Sequence, residues 1–383
     1  MISFDLATPN QMPLNPRLSE NEKSIFSELK NGFERKAAGT GYFLIASSGT
    51  SQNQNESSKL IALKVDAVLN SARRVNQYLH AQSDENWGLA LPSFHVAGLG
   101  VRARAFLAAS KVFELDWQMT TIQLQLLKNH ISYLSLVPAQ VFDLVQAGVK
   151  APSVLKRVFV GAGSLHDDMR SKIINLGWPV VETYGMTETA SMIAIREHGT
   201  AFKVMPGIEV RLHDEKLQLR CNSMLSAVVQ KQSDEIKIDF FSVNDWYGTR
   251  DHVELLQDSS QKSGEVYLEL KGRQSDYIKV LGEGVSLSEL RTQLHSLLLK
   301  QGLPPDCAEI VAVEEARKGH QLFLVFEKQI DRNQSYAVLT EFNLKVRPYE
   351  KLAEVVFIDR MPRTELGKLK TEELKRIIKI SLE

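Results

Sequence analysis

Cysteine is nearly absent: Cys221 and Cys307 are the only two, far apart and in no metal-ligand spacing. That excludes a disulfide framework and a cysteine-built zinc site, and it sets the expectation of a reducing, cytoplasmic location. Net charge is missing too, with 46 Lys+Arg against 46 Asp+Glu. No basic face for nucleic acid and no acidic shell is therefore expected. Long apolar runs are lacking, since nowhere do about 18 uncharged apolar residues occur together, so no membrane span is expected. The segment Met1 to Pro16 carries Asp5 and no apolar run, which argues against a secretory leader. There is no internal repeat, and the one low-complexity tract is Ser51 to Ser58, a polar run that reads as a mobile loop.

What the chain has is length and alternation. At 383 residues it exceeds the size at which one hydrophobic core stops growing, so two or more domains are expected. Short apolar runs closed by Gly, Pro or Ser read as buried strands: Tyr42 to Ser47, Trp87 to Pro92, Tyr133 to Val137, Arg157 to Val160 and Val180 to Tyr184. Between them Lys64 to Ala81, Gly98 to Ala109, Ala139 to Ala147 and Ser164 to Leu176 read as helices. Strand and helix in alternation predict an α/β fold, a large N-terminal domain with mostly parallel layered sheets. From Gly207 the alternating segments Gly207 to Leu212, Leu217 to Cys221 and Glu265 to Leu270 predict a smaller antiparallel subdomain. Beyond Gly272, a helix over Ser286 to Lys300 and strands over Cys307 to Val313 and Gln321 to Glu327 form a compact α+β unit. The boundary is placed near Ser275, giving domains 1–274 and 275–383, the second small and mobile.

Two segments carry phosphate chemistry. Ser47-Ser48-Gly49-Thr50-Ser51 follows an apolar strand and is followed by Lys59. A turn of small residues lets backbone N–H groups approach phosphate oxygens, and a lysine adds charge. The same run also reads as an ordinary Ser-rich surface turn. Tyr184-Gly185-Met186-Thr187-Glu188-Thr189-Ala190-Ser191 follows another strand. Gly185 permits a tight exit, Thr187 offers a hydroxyl, and Glu188 is a hard oxygen ligand suited to magnesium. The plainer reading of this run is a helix start capped by Thr187.

These segments resemble the adenylate-forming superfamily of acyl-CoA synthetases, luciferases and peptide-synthetase adenylation domains. The likeness continues in order through Leu91-Pro92-Ser93-Phe94-His95-Val96-Ala97-Gly98, Gly161-Ala162-Gly163 and Trp246-Tyr247-Gly248-Thr249-Arg250-Asp251. It ends with Gly272-Arg273, Gly282-Glu283-Gly284-Val285 and Pro362-Arg363-Thr364-Glu365-Leu366-Gly367-Lys368. Within the superfamily, the short length, the form of the last motifs and the His95 to Arg104 spacing most resemble the o-succinylbenzoate-CoA ligases of menaquinone biosynthesis.

The resemblance implies an AMP-forming acid–thiol ligase with ATP, Mg2+ and coenzyme A. The acid is activated as an acyl-adenylate and then passed to the thiol. It further implies that Ser47 to Ser51 and Lys59 hold the outer phosphates, that Thr187 touches the α-phosphate and that Glu188 serves the magnesium. Gly161, Ala162 and Gly163 with Tyr184 and Gly185 would line the nucleotide pocket, and Asp251 and Arg273 would take the ribose or a phosphate. Lys368 would be the catalytic lysine of the mobile domain and Ser275 its hinge. His95 is either a core histidine or a contact near the acyl pocket. Arg104 is either a helix-surface residue or a partner for a second carboxylate on the acid.

Departures accompany the likeness. Gln52 stands where a glycine is usual in the phosphate loop, extra residues precede Lys59, Ser275 replaces an Asp or Lys, and only about 45 residues precede the loop. Other aryl- or acyl-CoA ligases, an enzyme loading a carrier protein, and a non-catalytic nucleotide-binding protein remain alternatives at this point. Partners expected are small molecules, with a monomer or homodimer as the assembly.

Overall fold

The computed structural model describes residues 10–37, 39, 41–47, 59–163, 165, 167–232, 235–257, 265–273, 276–281, 283–315, 317–364, 367 and 369–382. The chain divides into two units, the first formed by 1–249 and 254–269 and the second by 250–253 and 270–383.

In the first unit α1 (Glu20–Lys36) precedes the hairpin β1 (Tyr42–Ser47) and β2 (Lys59–Lys64). Then α2 (Val65–Leu79), β3 (Asn86–Leu89), α3 (Val96–Ala108), β4 (Val112–Glu114), α4 (Ile122–Lys128) and β5 (Ile131–Leu136) alternate. They are followed by α5 (Pro138–Gln146), β6 (Arg157–Val160), α6 (Asp167–Asn175) and β7 (Val180–Met186). The chain continues through β8 (Ser191–Arg196), β9 (Phe202–Val204), β10 (Ile208–His213), β11 (Lys216–Cys221), β12 (Ala227–Gln232) and β13 (Glu235–Phe240). Two longer strands, β14 (Tyr247–Gln257) and β15 (Val266–Arg273), contribute residues to both units.

The large sheet has the order β10-β11-β14-β15-β9-β8-β7-β6-β5-β3-β4. Its strands from β4 to β7 are parallel. They are the apolar runs separated by helices, since a parallel return needs a crossover. At β7/β8 the direction reverses, because only the short turn Thr187–Thr189 separates the two strands. The fold is thus α/β, and the alternating segments after Gly207 extend the same sheet as its antiparallel half. A four-stranded sheet, β1-β2-β12-β13, is antiparallel throughout. Helix α1 covers it with Phe26, Leu29 and Phe33 against Leu44, Leu60 and Val229. The start of α1 is fixed by a capping box between Ser19 and Glu22.

The core of the parallel half gathers Val75, Trp87, Val101, Ala105, Tyr133, Phe159 and Val181. Trp87 lies 5.0 Å from Tyr133 and stacks on Phe159 at 6.2 Å between ring centroids. These rings form the floor beneath α3.

The second unit adds β16 (Tyr277–Val280), β17 (Glu283–Ser286), α7 (Leu287–Lys300), β18 (Ala308–Glu315), β19 (Gly319–Glu327), α8 (Arg332–Lys345), β20 (Val355–Ile358) and α9 (Thr371–Leu382). Strands β18, β19 and β20 form one sheet, antiparallel then parallel. Leu290, Leu294 and Leu298 of α7 pack against its one face, with Ile310, Leu324 and Phe342 in the same cluster. Leu374 and Ile378 of α9 join Val311, Val325 and Val356 on the other. Helix α7 begins where the Ser286 hydroxyl accepts from the Glu289 N–H.

Candidate active site

The turn between β7 and β8 is built by its backbone. A Cβ at Gly185 would sit 2.2 Å from the Ser191 carbonyl oxygen, so only glycine allows the two strands to close here. Residues Thr187–Thr189 make one 3-10 turn preceded by Met186. Thr187 is not its cap. The capping hydroxyl belongs to Thr189, which is fully buried, accepts the Met186 N–H at 3.2 Å and lies 2.7 Å from the Ser191 carbonyl. The Glu188 carbonyl accepts from the Leu225 N–H at 2.8 Å.

The turn delivers the Glu188 carboxylate to Lys59, with Nζ at 3.5 Å from Oε1 and both side chains partly exposed. Strand pairing places Lys59 opposite Ser47, the last pair of the β1–β2 ladder before the 48–58 connection. Ser48, Gly49, Thr50 and Ser51, the rest of the expected phosphate loop, lie outside the described residues, as does the Ser51 to Ser58 tract. No cluster of three or more His, Cys, Asp or Glu able to hold a metal exists among the described residues. A single carboxylate such as that of Glu188 is a hard oxygen donor, a kind that magnesium commonly takes beside phosphate oxygens and water.

Gly161, Ala162 and Gly163 follow β6. A Cβ at Gly161 would lie 2.5 Å from the Thr183 hydroxyl, and Ala162 takes a φ of 67°, so this turn runs close along the end of β7. Tyr184 is half-buried, its ring 6.4 Å from that of Phe202.

The Leu91 to Gly98 segment leads into α3. A Cβ at Gly98 would fall 2.3 Å from the Pro92 carbonyl, which explains that glycine. His95 immediately precedes the helix, half-exposed, with its ring 4.7 Å from Phe94. Arg102 steadies the segment: its Nε donates to Ser93 at 3.1 Å and its Nη2 pairs with Glu114 at 2.7 Å.

Arg104, two residues on, points the other way. The sequence leaves open a helix-surface position, but the side chain is only 1 % exposed. Its guanidinium lies over the rings of Trp87 (5.4 Å) and Phe159 (5.9 Å). No carboxylate pairs with it among the described residues, and its Nε has no hydrogen-bond partner. Nη2 donates to the Ser191 hydroxyl at 3.2 Å. Burial pushes the guanidinium down to about 9. A buried, uncompensated cation of this kind is costly, and an anionic ligand supplies what it lacks.

The structure thus brings Lys59 to Glu188, and the Glu188 turn to Arg104 through Ser191. Asp251 is buried on β14, in the part of that strand belonging to the second unit. Arg273 ends β15, while Ser275 and Lys368 lie outside the described residues. Two features escaped the sequence. Ser191 gave no signal beyond its place in the motif, and the burial of Arg104 rather than Arg102 is not legible in Val101-Arg102-Ala103-Arg104.

Comparison with known proteins gives the family and the fold. The family of AMP-binding enzymes matches over residues 15–221. A 2-succinylbenzoate–CoA ligase of Bacillus pumilus is 25% identical over 321 residues, 77% of this chain and 61% of the relative. That of Salmonella typhimurium is 28% identical over 264 residues, covering 68% of this chain and 53% of the relative. The chain therefore spans about three-fifths of the length of the Bacillus relative. Among solved structures, the o-succinylbenzoate CoA synthetase of Bacillus subtilis, in complex with its acyl-adenylate intermediate, superposes with a TM-score of 0.70 at 20% identity. That match covers 87% of this chain and 68% of the other. ATP-bound MatB of Rhodopseudomonas palustris gives 0.69 at 20% identity over 89% of this chain and 69% of the other. With a family match across more than half its residues, this chain belongs to the AMP-binding enzymes.

Proposed function

We propose that the chain is an AMP-forming acid–CoA ligase acting on an aromatic acid with a second carboxylate, 2-succinylbenzoate being the best candidate. The observation that carries this reading is Arg104, a cation buried on aromatic rings with no acidic partner among the described residues. The spare carboxylate of such an acid can accept from the guanidinium. The names of the relatives point to the same substrate.

A carboxylate is unreactive toward thiols because its oxygen leaves poorly. In the proposed reaction one carboxylate oxygen of the acid attacks the α-phosphorus of ATP and pyrophosphate leaves. The thiol of coenzyme A then attacks the acyl carbon and AMP leaves. Glu188 would hold a magnesium ion, which neutralises charge growing on the pyrophosphate. Lys59, beside Glu188, and Ser47 to Ser51 would hold the outer phosphates, while Thr187 donates to the α-phosphate. Gly161 to Gly163, Tyr184 and Gly185 would face the base. Asp251, an acceptor when ionised, would take ribose hydroxyls, with Arg273 donating nearby. His95 would close the acyl pocket. Lys368 would neutralise charge on the α-phosphate and carboxylate during adenylation, carried in a domain 275–383 that turns about Ser275. No helix of the described residues is long and apolar enough to cross a membrane, and both cysteines are free and buried. A cytoplasmic enzyme working as monomer or homodimer goes with this reading.

The test is pyrophosphate release with ATP, Mg2+, coenzyme A and a panel of acids. The expected outcome is acid-dependent release, with 2-succinylbenzoate giving the highest kcat/KM, and an acyl-CoA product. A better benzoate, cinnamate or fatty acid would overturn the substrate. Absence of release with every acid would overturn the activity.

A further inference from the structure

We propose that Ser191 is a positioning residue for the acid: its hydroxyl aims the Arg104 guanidinium and links the acid pocket to the turn carrying Glu188. The proposal rests on the reading of Arg104 as the anchor for a second carboxylate.

Three observations carry it. The Ser191 hydroxyl, 3.2 Å from Nη2, is the one hydrogen-bond partner of the Arg104 guanidinium among the described residues. Ser191 also holds a backbone conformation that a serine rarely adopts, with φ of 107°, directly after Ala190 at 53°. Such a conformation costs an L-residue free energy and persists only where its surroundings impose it. Those surroundings are identifiable. The buried Thr189 hydroxyl accepts from the Met186 N–H and lies within donating distance of two carbonyls, Ser191 at 2.7 Å and Met186 at 3.0 Å, the Ser191 contact being the shorter. Across the turn Gly185 leaves room for that carbonyl. The side chain of Ser191 is thereby fixed toward α3, where Gly100 leaves it space. A Cβ there would stand 3.3 Å from Nη2 and 3.6 Å from the Ser191 hydroxyl.

The consequence is geometric. Arginine recognises a carboxylate through a planar fork of donors, which works only when the plane is held. The rings of Trp87 and Phe159 beneath the guanidinium limit its movement on that side, and the bond to Ser191 restrains its rotation. Nε is left for the ligand. Any shift of the Glu188 turn moves Ser191, so acid recognition and the proposed phosphate and magnesium contacts depend on one backbone segment.

Ser191→Gly and Ser191→Ala separate this role from a structural one. Glycine accepts the positive φ without strain, so Ser191→Gly should unfold at the same or higher denaturant concentration than the parent. In turnover it should nevertheless demand roughly tenfold more of the dicarboxylic acid for half-maximal rate, as loss of a bond to a charged group does. Calorimetric titration with 2-succinylbenzoate, and with analogues in which one or the other carboxylate is replaced by an apolar group, should show the same loss. That loss should vanish for the analogue lacking the carboxylate that meets Arg104. Ser191→Ala, which keeps the strain, should lose the same selectivity. Equal weakening for all three acids in both variants would make Ser191 merely structural and overturn the proposal, as would no change in any. Arg104→Met decides where a failure lies. If it abolishes selectivity while the Ser191 variants keep it, only the role of Ser191 is wrong. If it too keeps selectivity, the reading of Arg104 falls and takes this inference with it.

Discussion

Buried charge is handled in two opposite ways in this molecule. The buried Glu182 on β7 lies between Arg196 at 2.7 Å and Arg170 at 3.2 Å, and the half-buried Arg291 on α7 lies between Glu309 at 2.6 Å and Asp276 at 2.7 Å. Glu182 and Arg291 each have two opposite partners. For Arg291, burial alone would lower the affinity for its proton, but Glu309 and Asp276 more than offset this and hold it above the usual arginine value. Arg104 has the burial without the carboxylates, and its affinity for the proton falls instead. The half-buried Arg291 is thus neutralised by the fold, whereas the buried Arg104 has no carboxylate beside it among the described residues. The partly exposed pair of Lys59 and Glu188 is a third case, where water already screens both partners.

Substitutions can break this contrast. Arg291→Met would strand two acidic groups, and chemical denaturation should show a loss of about 3–5 kcal/mol in the second unit. A loss near zero would mean that the triad contributes nothing. Arg104→Met should do the reverse: removing an uncompensated buried charge leaves stability unchanged or raises it, by up to about 4 kcal/mol. A clear destabilisation would show that the arginine is structural after all. Glu188→Gln should change stability by no more than about 0.5 kcal/mol, as expected of a weakly coupled, partly exposed pair. It should still lower the rate of pyrophosphate release by at least about tenfold, and do so more than it weakens ATP binding. Equal kcat in variant and parent would remove Glu188 from the reaction.

The pH dependence sharpens the contrast further. The folded-state pKa of Arg104 lies below its unfolded value. Between about 9 and the ordinary arginine range the unfolded chain holds the extra proton, and stability gains a component that rises with pH. Below that window the penalty is constant. Binding of a dicarboxylate should run the other way, weakening as pH climbs through about 9 and the guanidinium discharges. In Arg104→Met both slopes should disappear, which denaturation and calorimetry from about pH 7 to 10 can check.

Much of the fold was legible because its signals are local. The runs at Arg157 to Val160 and Tyr42 to Ser47 are apolar, short and closed by small residues, and they are strands at those very bounds. Helix ends were less so: α2 stops at Leu79, where His80 turns left-handed, a change nothing in the Tyr78-Leu79-His80-Ala81 sequence announces. That the antiparallel segments after Gly207 extend the large sheet depends on pairing between distant strands, which no window of sequence contains. In the site, the tight turn at Gly185 could be read from residue chemistry. Arg104 could not be told from Arg102, because α3 is apolar on most sides and only packing decides which arginine faces Trp87. Ser191 was hidden for a similar reason: its positive φ comes from Thr189 and the strand reversal, not from its own preference.

The proposed role of Arg104 as the reader of a second carboxylate is measured most directly by kcat/KM for pyrophosphate release. Parent and Arg104→Met should be compared with 2-succinylbenzoate and with the analogue that keeps only the carboxylate to be activated. The prediction is a fall of roughly 100-fold for the dicarboxylate and little change for the analogue, as expected when a buried charge-assisted contact is lost. Equal activity of the two proteins on 2-succinylbenzoate would contradict it.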